Sequence, residues 1–240
     1  VQMVTGVTQV TEGDRRFFSE EELKNGWRLA CTAFPREDCR ILIHSDDESR
    51  FEIVSDYQGQ REAAAAESRG YDIGIDIGTT TIAIELVDTA KGQILHTVTD
   101  INRQRAFGAD VISRIQASNE GQGEALKESI RECLYEGIKR LLKESGADGS
   151  KVGRIAIAGN TTMGHLLMGY FCETLGVYPF TPVNIGTITT SFGELFASQI
   201  QADKGEIPAI SAEIVLLPGI STYVGADISA GMLVCEFDKR

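Results

Sequence analysis

No apolar run in the 240-residue sequence approaches the ~20 residues that cross a bilayer. Its first residues, Val1-Gln-Met-Val-Thr-Gly6, offer neither a basic start nor an apolar signal core. The expectation is a cytoplasmic protein with no membrane partner. Basic charge is scarce as well, with 23 Lys and Arg against 35 Asp and Glu, a net charge of −12 and a pI near 4.8. A phosphate-backbone partner needs clustered cations, so nucleic-acid binding is excluded. Cys31, Cys39, Cys133, Cys172 and Cys235 are odd in number, widely spaced and without a Cys-x-x-Cys pair. That pattern is neither a disulfide framework nor a metal clip, and reduced thiols are expected. The length allows one or two domains with a real core.

The strongest local signal is Tyr71-Asp-Ile-Gly-Ile-Asp-Ile-Gly-Thr-Thr-Thr-Ile-Ala-Ile-Glu-Leu-Val-Asp88, two alternating apolar runs joined at Gly78 and Thr79. It reads as a β-hairpin with a polar tip. Gly78 allows a tight turn, the threonines offer hydroxyl and N–H groups, and Asp76 offers a carboxylate for a hydrated cation, which suits a phosphate chain carrying Mg²⁺. Turn chemistry alone also selects Gly, Asp and Thr, so a plain hairpin with a solvated aspartate stays open. Residues 93–99 add a third strand, the polar stretch 100–110 leads into a helix carrying Val111, Ile112 and Ile115, and residues 124–144 form an amphipathic helix that packs on a sheet.

Further on, an apolar strand from Val152 ends at Gly159-Asn160 and runs into a helix starting near Thr161, presenting free N–H groups to an anion. The plain alternative is a β-to-α turn with Thr161 as N-cap. His165 reads as a hydrogen-bonded core histidine and His96 as an edge residue. Residues 177–182 form a proline-fixed loop, and 187–201 carry no decisive pattern. After a buried strand ending at Pro218-Gly219, Val224-Gly-Ala-Asp227 opens a helix whose Ala226, Ala230 and Gly231 would admit a neighbouring backbone. Asp227 serves there as a helix-start charge or as an active-site acid. At the other end, Ser19-Glu-Glu-Glu22 is a capping box that opens a short helix ended by Asn25-Gly26.

The order of strand, short helix, Gly26-Trp-Arg-Leu-Ala-Cys31 and closing strand Arg40-Ile-Leu-Ile-His44 resembles the C-terminal half of a plant-type 2Fe-2S ferredoxin. The resemblance implies that Cys31 is the fourth cluster ligand of an intact domain whose other three cysteines lie upstream. On it, residues 1–46 are the end of a ferredoxin-like β-grasp domain that holds no cluster by itself, and 47–70 are a linker. Residues 71–240 are then the first lobe of an ATPase domain.

That lobe is expected to be α/β. The order β-β-β-α-(α)-β-α…β-α resembles the ribonuclease-H-like first lobe of the sugar-kinase, actin and chaperone ATPases, a mixed sheet with helices on both faces. More narrowly, Gly74-Ile-Asp-Ile-Gly-Thr-Thr-Thr81, Asn102-Arg-Gln-Arg-Ala-Phe-Gly-Ala-Asp-Val-Ile-Ser-Arg-Ile115, Ala158-Gly-Asn-Thr-Thr-Met163, Pro179-Phe-Thr-Pro182 and Val224-Gly-Ala-Asp227 resemble the reductive activators of corrinoid proteins. Those are ferredoxin–ATPase fusions that use ATP to drive an electron from the cluster onto a corrinoid, Co(II) to Co(I). At ~23 kcal/mol per volt, ATP-dependent conformational change covers a few tenths of a volt.

The resemblance implies ATP and Mg²⁺ as cofactors, with the 2Fe-2S cluster present only in the intact protein. Its partner is a corrinoid protein or a methyltransferase of one-carbon metabolism, and a homodimer is left open. Asp76 would bind Mg²⁺ through water, while Gly78, Thr79, Thr80 and Thr81 hold the β and γ phosphates. Gly159, Asn160, Thr161, Gly225 and Asp227 would line the cleft, with Asp76 and Asp227 as the catalytic pair. The second lobe, with its own phosphate loop, would follow Arg240, so the chain is expected to be a fragment that is inactive alone. Two other readings stand beside this one, a small-molecule kinase of the same fold and a redox or scaffold module with a vestigial phosphate loop.

Overall fold

A computed structural model describes residues 1–6, 8–29, 33, 35, 37–42, 70–205, 208 and 210–237, without the side chains of Arg16 and Phe17. The chain divides into two compact units, Val1–Val54 and Ser55–Arg240. In the first, β1 (Gln2–Thr5) pairs antiparallel with β2 (Arg40–Leu42), with Gln2 opposite Leu42 and Met3 opposite Ile41. Two short helices lie between them, α1 (Glu12–Phe17) and α2 (Glu20–Lys24), each started by a reciprocal capping box, Thr11 with Asp14 and Ser19 with Glu22. The strand is shorter than the alternation of residues 1–10 suggests. Cys31, the stretch 43–46 and the linker 47–69 lie outside the described residues.

The second unit is built on a six-stranded sheet, formed by β3 (Tyr71–Ile77), β4 (Thr81–Asp88), β5 (Gln93–Ile101), β6 (Val152–Gly159), β7 (Ile188–Ser191) and β8 (Glu213–Leu216), in the order β5-β4-β3-β6-β8-β7. β3, β4 and β5 are an antiparallel meander, β6 and β8 run parallel to β3, and β7 returns antiparallel at the edge. The period-two pattern separates two faces. Ile73, Ile75, Ile77, Ile82, Ile84, Leu86, Val98, Ile155, Ile157, Ile214 and Leu216 are buried on one. The long helix α4 (Gly123–Ser145) covers that face, burying Leu126, Ile130, Leu134, Ile138 and Leu141 completely. Burying such side chains contributes about 1.5–3 kcal/mol each, which makes this layer the main source of stability.

α3 (Val111–Ala117) precedes α4 in the chain, and α5 (Thr161–Met168) packs against α4. The ambiguous stretch after residue 187 resolves into β7 and two short helices, α6 (Phe192–Leu195) and α7 (Ala197–Ala202). Their Phe192 and Phe196 rings lie 6.1 and 5.9 Å from the ring of Tyr135 on α4. No periodicity marks this segment because each element is only four to six residues long. The last helix, α8 (Ala226–Val234), packs against β6. Among the described residues no helix is long and apolar enough to cross a membrane.

The opposite face of the sheet is built from small and acidic residues. Asp76 stands between Ala83 on β4 and Ala158 on β6, and Gly74 stands between Glu85 and Ala156. Neighbours so short leave the Asp76 carboxylate rising from a low floor.

Candidate functional site

The parallel core ends its strands on one side, and there the β3–β4 turn, the β6–α5 turn and the start of α8 meet. Gly78 N–H donates to Thr81 O at 2.9 Å to close the hairpin turn. A Cβ on Gly78 would lie 2.5 Å from that oxygen, so only glycine fits.

Three successive carbonyls of this turn face the interior. Gly78 O accepts from Asn102 Nδ2 at 2.8 Å, Thr79 O from the Arg114 guanidinium at 2.5 Å and Thr80 O from Asn102 N–H at 2.8 Å. A trans peptide points its N–H opposite to its C=O. The N–H groups of Thr79, Thr80 and Thr81 are therefore turned away from Asn102 and Arg114. Successive amides on one side of a turn are the element from which anion-binding concavities are built.

The second turn is tied to the first. Asn160 caps α5 by accepting from Met163 N–H at 3.0 Å and donates through Nδ2 to Thr79 Oγ1 at 3.2 Å. The cap is thus Asn160 rather than Thr161. Thr161 is the first helical residue, and its hydroxyl donates to Ser221 O at 2.9 Å, toward the loop before α8. Gly159 sits beside Ile77 at the strand end, where a Cβ would come 3.0 Å from Ile77 O.

α8 comes closest at Gly225, where a Cβ would lie 2.6 Å from both Asn160 Cα and Thr161 N. Of Ala226, Ala230 and Gly231, expected to admit a neighbouring backbone, Ala226 is buried next to this contact, whereas Ala230 is only partly buried and a Cβ on Gly231 would meet nothing within 4 Å. The contact brings Asp227, in the first turn of α8, within electrostatic reach of Asp76. Solvent still reaches Asp76, yet the surrounding protein desolvates its carboxylate and the charge of Asp227 adds to the effect, raising its pKa. Desolvation likewise raises the pKa of Glu85 on the same face.

Asp76, Asp227, the Thr79–Thr80 turn, Asn160 and Gly225 are therefore brought together. Thr81 lies at the first position of β4, on the face of Asp76, and Thr161 turns its hydroxyl elsewhere. Among the described residues neither Asp76 nor Asp227 takes part in an ion pair. Two hard oxygen donors beside the amides of this turn are a donor set of the kind that suits Mg²⁺, which is held through one or two carboxylates, waters and substrate phosphates. No group of three or more His, Cys, Asp or Glu among the described residues forms a metal cage. Cys39, Cys133, Cys172 and Cys235 are free thiols.

Residue-by-residue reading of the sequence missed the interior supports, Asn102, Gln104 and Arg114. The available signal was Arg114 itself, an arginine within the apolar stripe of Val111 and Ile115.

His165 is buried as expected. Its Nδ1 is 2.8 Å from Thr161 O and its Nε2 is 2.9 Å from Val183 N. Because Val183 N–H can only donate, Nδ1 carries the proton. His96 lies at the sheet edge, 3.0 Å from Glu144.

Comparison with known proteins places the fold. The corrinoid activation enzyme RamQ of Eubacterium limosum is 32% identical over 176 residues, which are 71% of this chain and 28% of that protein. A solved structure described as a reductive activator for corrinoid, iron-sulfur protein matches with a TM-score of 0.63 at 22% identity, over 100% of this chain and 51% of that one. That likeness shows the fold, the mixed α/β architecture expected from the order of elements. The chain spans about half the length of the one relative and under a third of the other. Residues 71–240 match the family described as the RACo middle region, and the chain belongs to that family.

Proposed function

We propose that the chain carries a phosphate-binding lobe of an ATP-dependent reductive activator, which passes an electron from a 2Fe-2S cluster to a corrinoid protein and takes Co(II) to Co(I). The observation that carries the nucleotide part is the run of three inward carbonyls at Gly78, Thr79 and Thr80. It turns the following N–H groups away from Asn102 and Arg114, which supports an anion site beside two carboxylates that, among the described residues, form no ion pair. The acceptor is inferred from membership of the family and from the names of the two relatives.

In this reading the N–H groups of Thr79, Thr80 and Thr81 hold the β and γ phosphates. Asn160 fixes the Thr79 hydroxyl. Asp76 binds Mg²⁺ through water, with Asp227 completing the acidic side of the cleft, and the metal would neutralise charge on the transferring phosphoryl group. Residues 1–46 would be the end of a ferredoxin-like domain with Cys31 as a cluster ligand, 47–70 a linker and 71–240 the ATPase lobe. The electron acceptor would be a corrinoid protein or methyltransferase of one-carbon metabolism. A kinase of the same fold would need an acceptor-binding polar set beside its catalytic aspartate, and nothing among the described residues favours one.

The test mixes the intact protein, Mg-ATP and a one-electron donor with a corrinoid protein in the Co(II) state and follows Co(I) absorbance. ATP-dependent reduction that is lost in Asp76→Asn is expected. Reduction at the same rate without ATP would overturn the proposal.

A further inference from the structure

Arg114 is completely buried, and everything that its guanidinium touches is uncharged. Nε donates to Gly108 O at 2.9 Å, one terminal nitrogen to Thr79 O at 2.5 Å, and the other approaches Gln104 Oε1 and Met163 Sδ, both at 3.4 Å. Gln104 is buried too, and its amide nitrogen donates to Leu126 O at 2.9 Å, which aims Oε1 at the arginine. Among the described residues no carboxylate forms an ion pair with Arg114. Burial lowers its pKa, the like charge of Arg105 lowers it further, and Asp110 offsets them in part.

A buried charge is normally paired, because removal from water is otherwise uncompensated. Here the groups that its guanidinium contacts among the described residues are dipoles, and Asp110 acts only at a distance as a partial counter-charge. The dipole that it engages most closely is the Thr79–Thr80 peptide, whose far end is one of the outward N–H groups. A cation on the carbonyl side polarises that peptide and strengthens the N–H as a donor. An anion seated on the N–H side would stand one peptide away from the guanidinium.

We propose that Arg114 is a positioning residue of the Gly78–Thr81 turn and that the phosphates of the bound nucleotide supply the negative charge that none of its contacts provides. The inference rests on the phosphate-turn reading above. It makes the affinity of the turn depend on a side chain that does not reach the ligand, with Gln104 setting how much of the charge is felt. A purely structural staple would make a different set of outcomes.

The test measures binding of inorganic tripolyphosphate and of Mg-ATP to the intact protein by calorimetry, together with thermal melting, for the parent, Arg114→Met, Arg114→Lys and Gln104→Glu. Arg114→Met is expected to weaken tripolyphosphate about tenfold or more, the scale of one charge-assisted hydrogen bond, and Arg114→Lys to restore most of that loss. Gln104→Glu places a carboxylate against Arg114 and is expected to weaken tripolyphosphate by a similar factor without lowering the melting temperature. If Arg114→Met does not fold, Gln104→Glu and Arg114→Lys still decide. Tripolyphosphate affinity equal to the parent in Gln104→Glu, or equal losses in the Lys and Met variants, would overturn the inference and leave the phosphate turn standing. A parent that binds neither ligand would sink both.

Discussion

Asn160 uses both ends of one amide on different parts of the site. Its Oδ1 accepts from Met163 N–H at 3.0 Å to cap α5, and its Nδ2 donates to Thr79 Oγ1 at 3.2 Å across 81 residues of sequence. A cap chosen only for helix stability could equally be serine or aspartate. The donor end is what asparagine adds, an N–H that meets the Thr79 hydroxyl on the β3–β4 turn.

The two ends separate on substitution. Asn160→Asp keeps the acceptor that caps α5, so stability should change by less than about 1 kcal/mol, while a carboxylate beside the turn lowers ATP affinity roughly tenfold. Asn160→Ala loses the cap as well and should cost about 0.5–2 kcal/mol. Urea denaturation and nucleotide titration of both variants check this, and equal stability losses would show that the cap is not the main role.

Asp76 should report metal and nucleotide without holding the fold together. Asp76→Asn is expected to remove about 2–4 kcal/mol of transition-state stabilisation from ATP turnover. The carboxylate has a folded-state pKa above its ordinary 3.8. The native state therefore holds the proton more tightly, and this group's contribution to stability is full below pH 3.8 and falls as pH rises through the folded value. Asp76→Asn should flatten that fall and leave the melting temperature at neutral pH unchanged or raised. A collapse of the fold would make Asp76 a structural turn residue.

Gly225→Ala tests the contact between α8 and the β6–α5 turn. The added methyl meets the Asn160 and Thr161 backbone at 2.6 Å, where no side chain can move aside. Overpacking of that kind costs about 1–3 kcal/mol, and by displacing Asn160 it should also weaken ATP binding. Gly231→Ala meets open space inside α8 and should leave binding unchanged while raising stability in thermal melting by about 0.5–1 kcal/mol.

His165 carries a pH dependence of opposite sign. Burial lowers its pKa below 6.5, partly offset by its bond to Thr161 O. The unfolded chain binds the extra proton first, so the stabilisation is complete above pH 6.5 and is lost as pH falls toward the folded value. Protonation would set an imidazole N–H against Val183 N–H. Melting of the parent should drop on acidification below pH 6.5, and His165→Gln should lose that slope, which thermal scans across that range measure.

The sheet and α4 were legible because period-two and period-3.6 patterns are long there: Ile73 to Ile77 and Ile82 to Leu86 each alternate without a break, and Leu126 to Leu142 hold one stripe. The phosphate turn was legible because Gly78 and its threonines are adjacent in sequence. Arg114 and Gln104 were not, since a buried polar residue declares itself only through partners such as Thr79 O and Leu126 O that lie far along the chain. Thr161 stood in for Asn160 as the cap because both types cap helices, and Ala230 and Gly231 for Gly225 because small size does not say which residue a neighbour reaches.

The groups that the turn offers to an anion belong to the main chain, and every residue except proline has them. The side chain of Thr80 can drift over evolutionary time with little loss of that offer, whereas a change at Asn102 or Arg114 would rotate the peptides themselves. Two relatives could therefore look unalike along the rim of this cleft and still treat the same anion alike. What they would be expected to inherit together is the hidden pair beneath it.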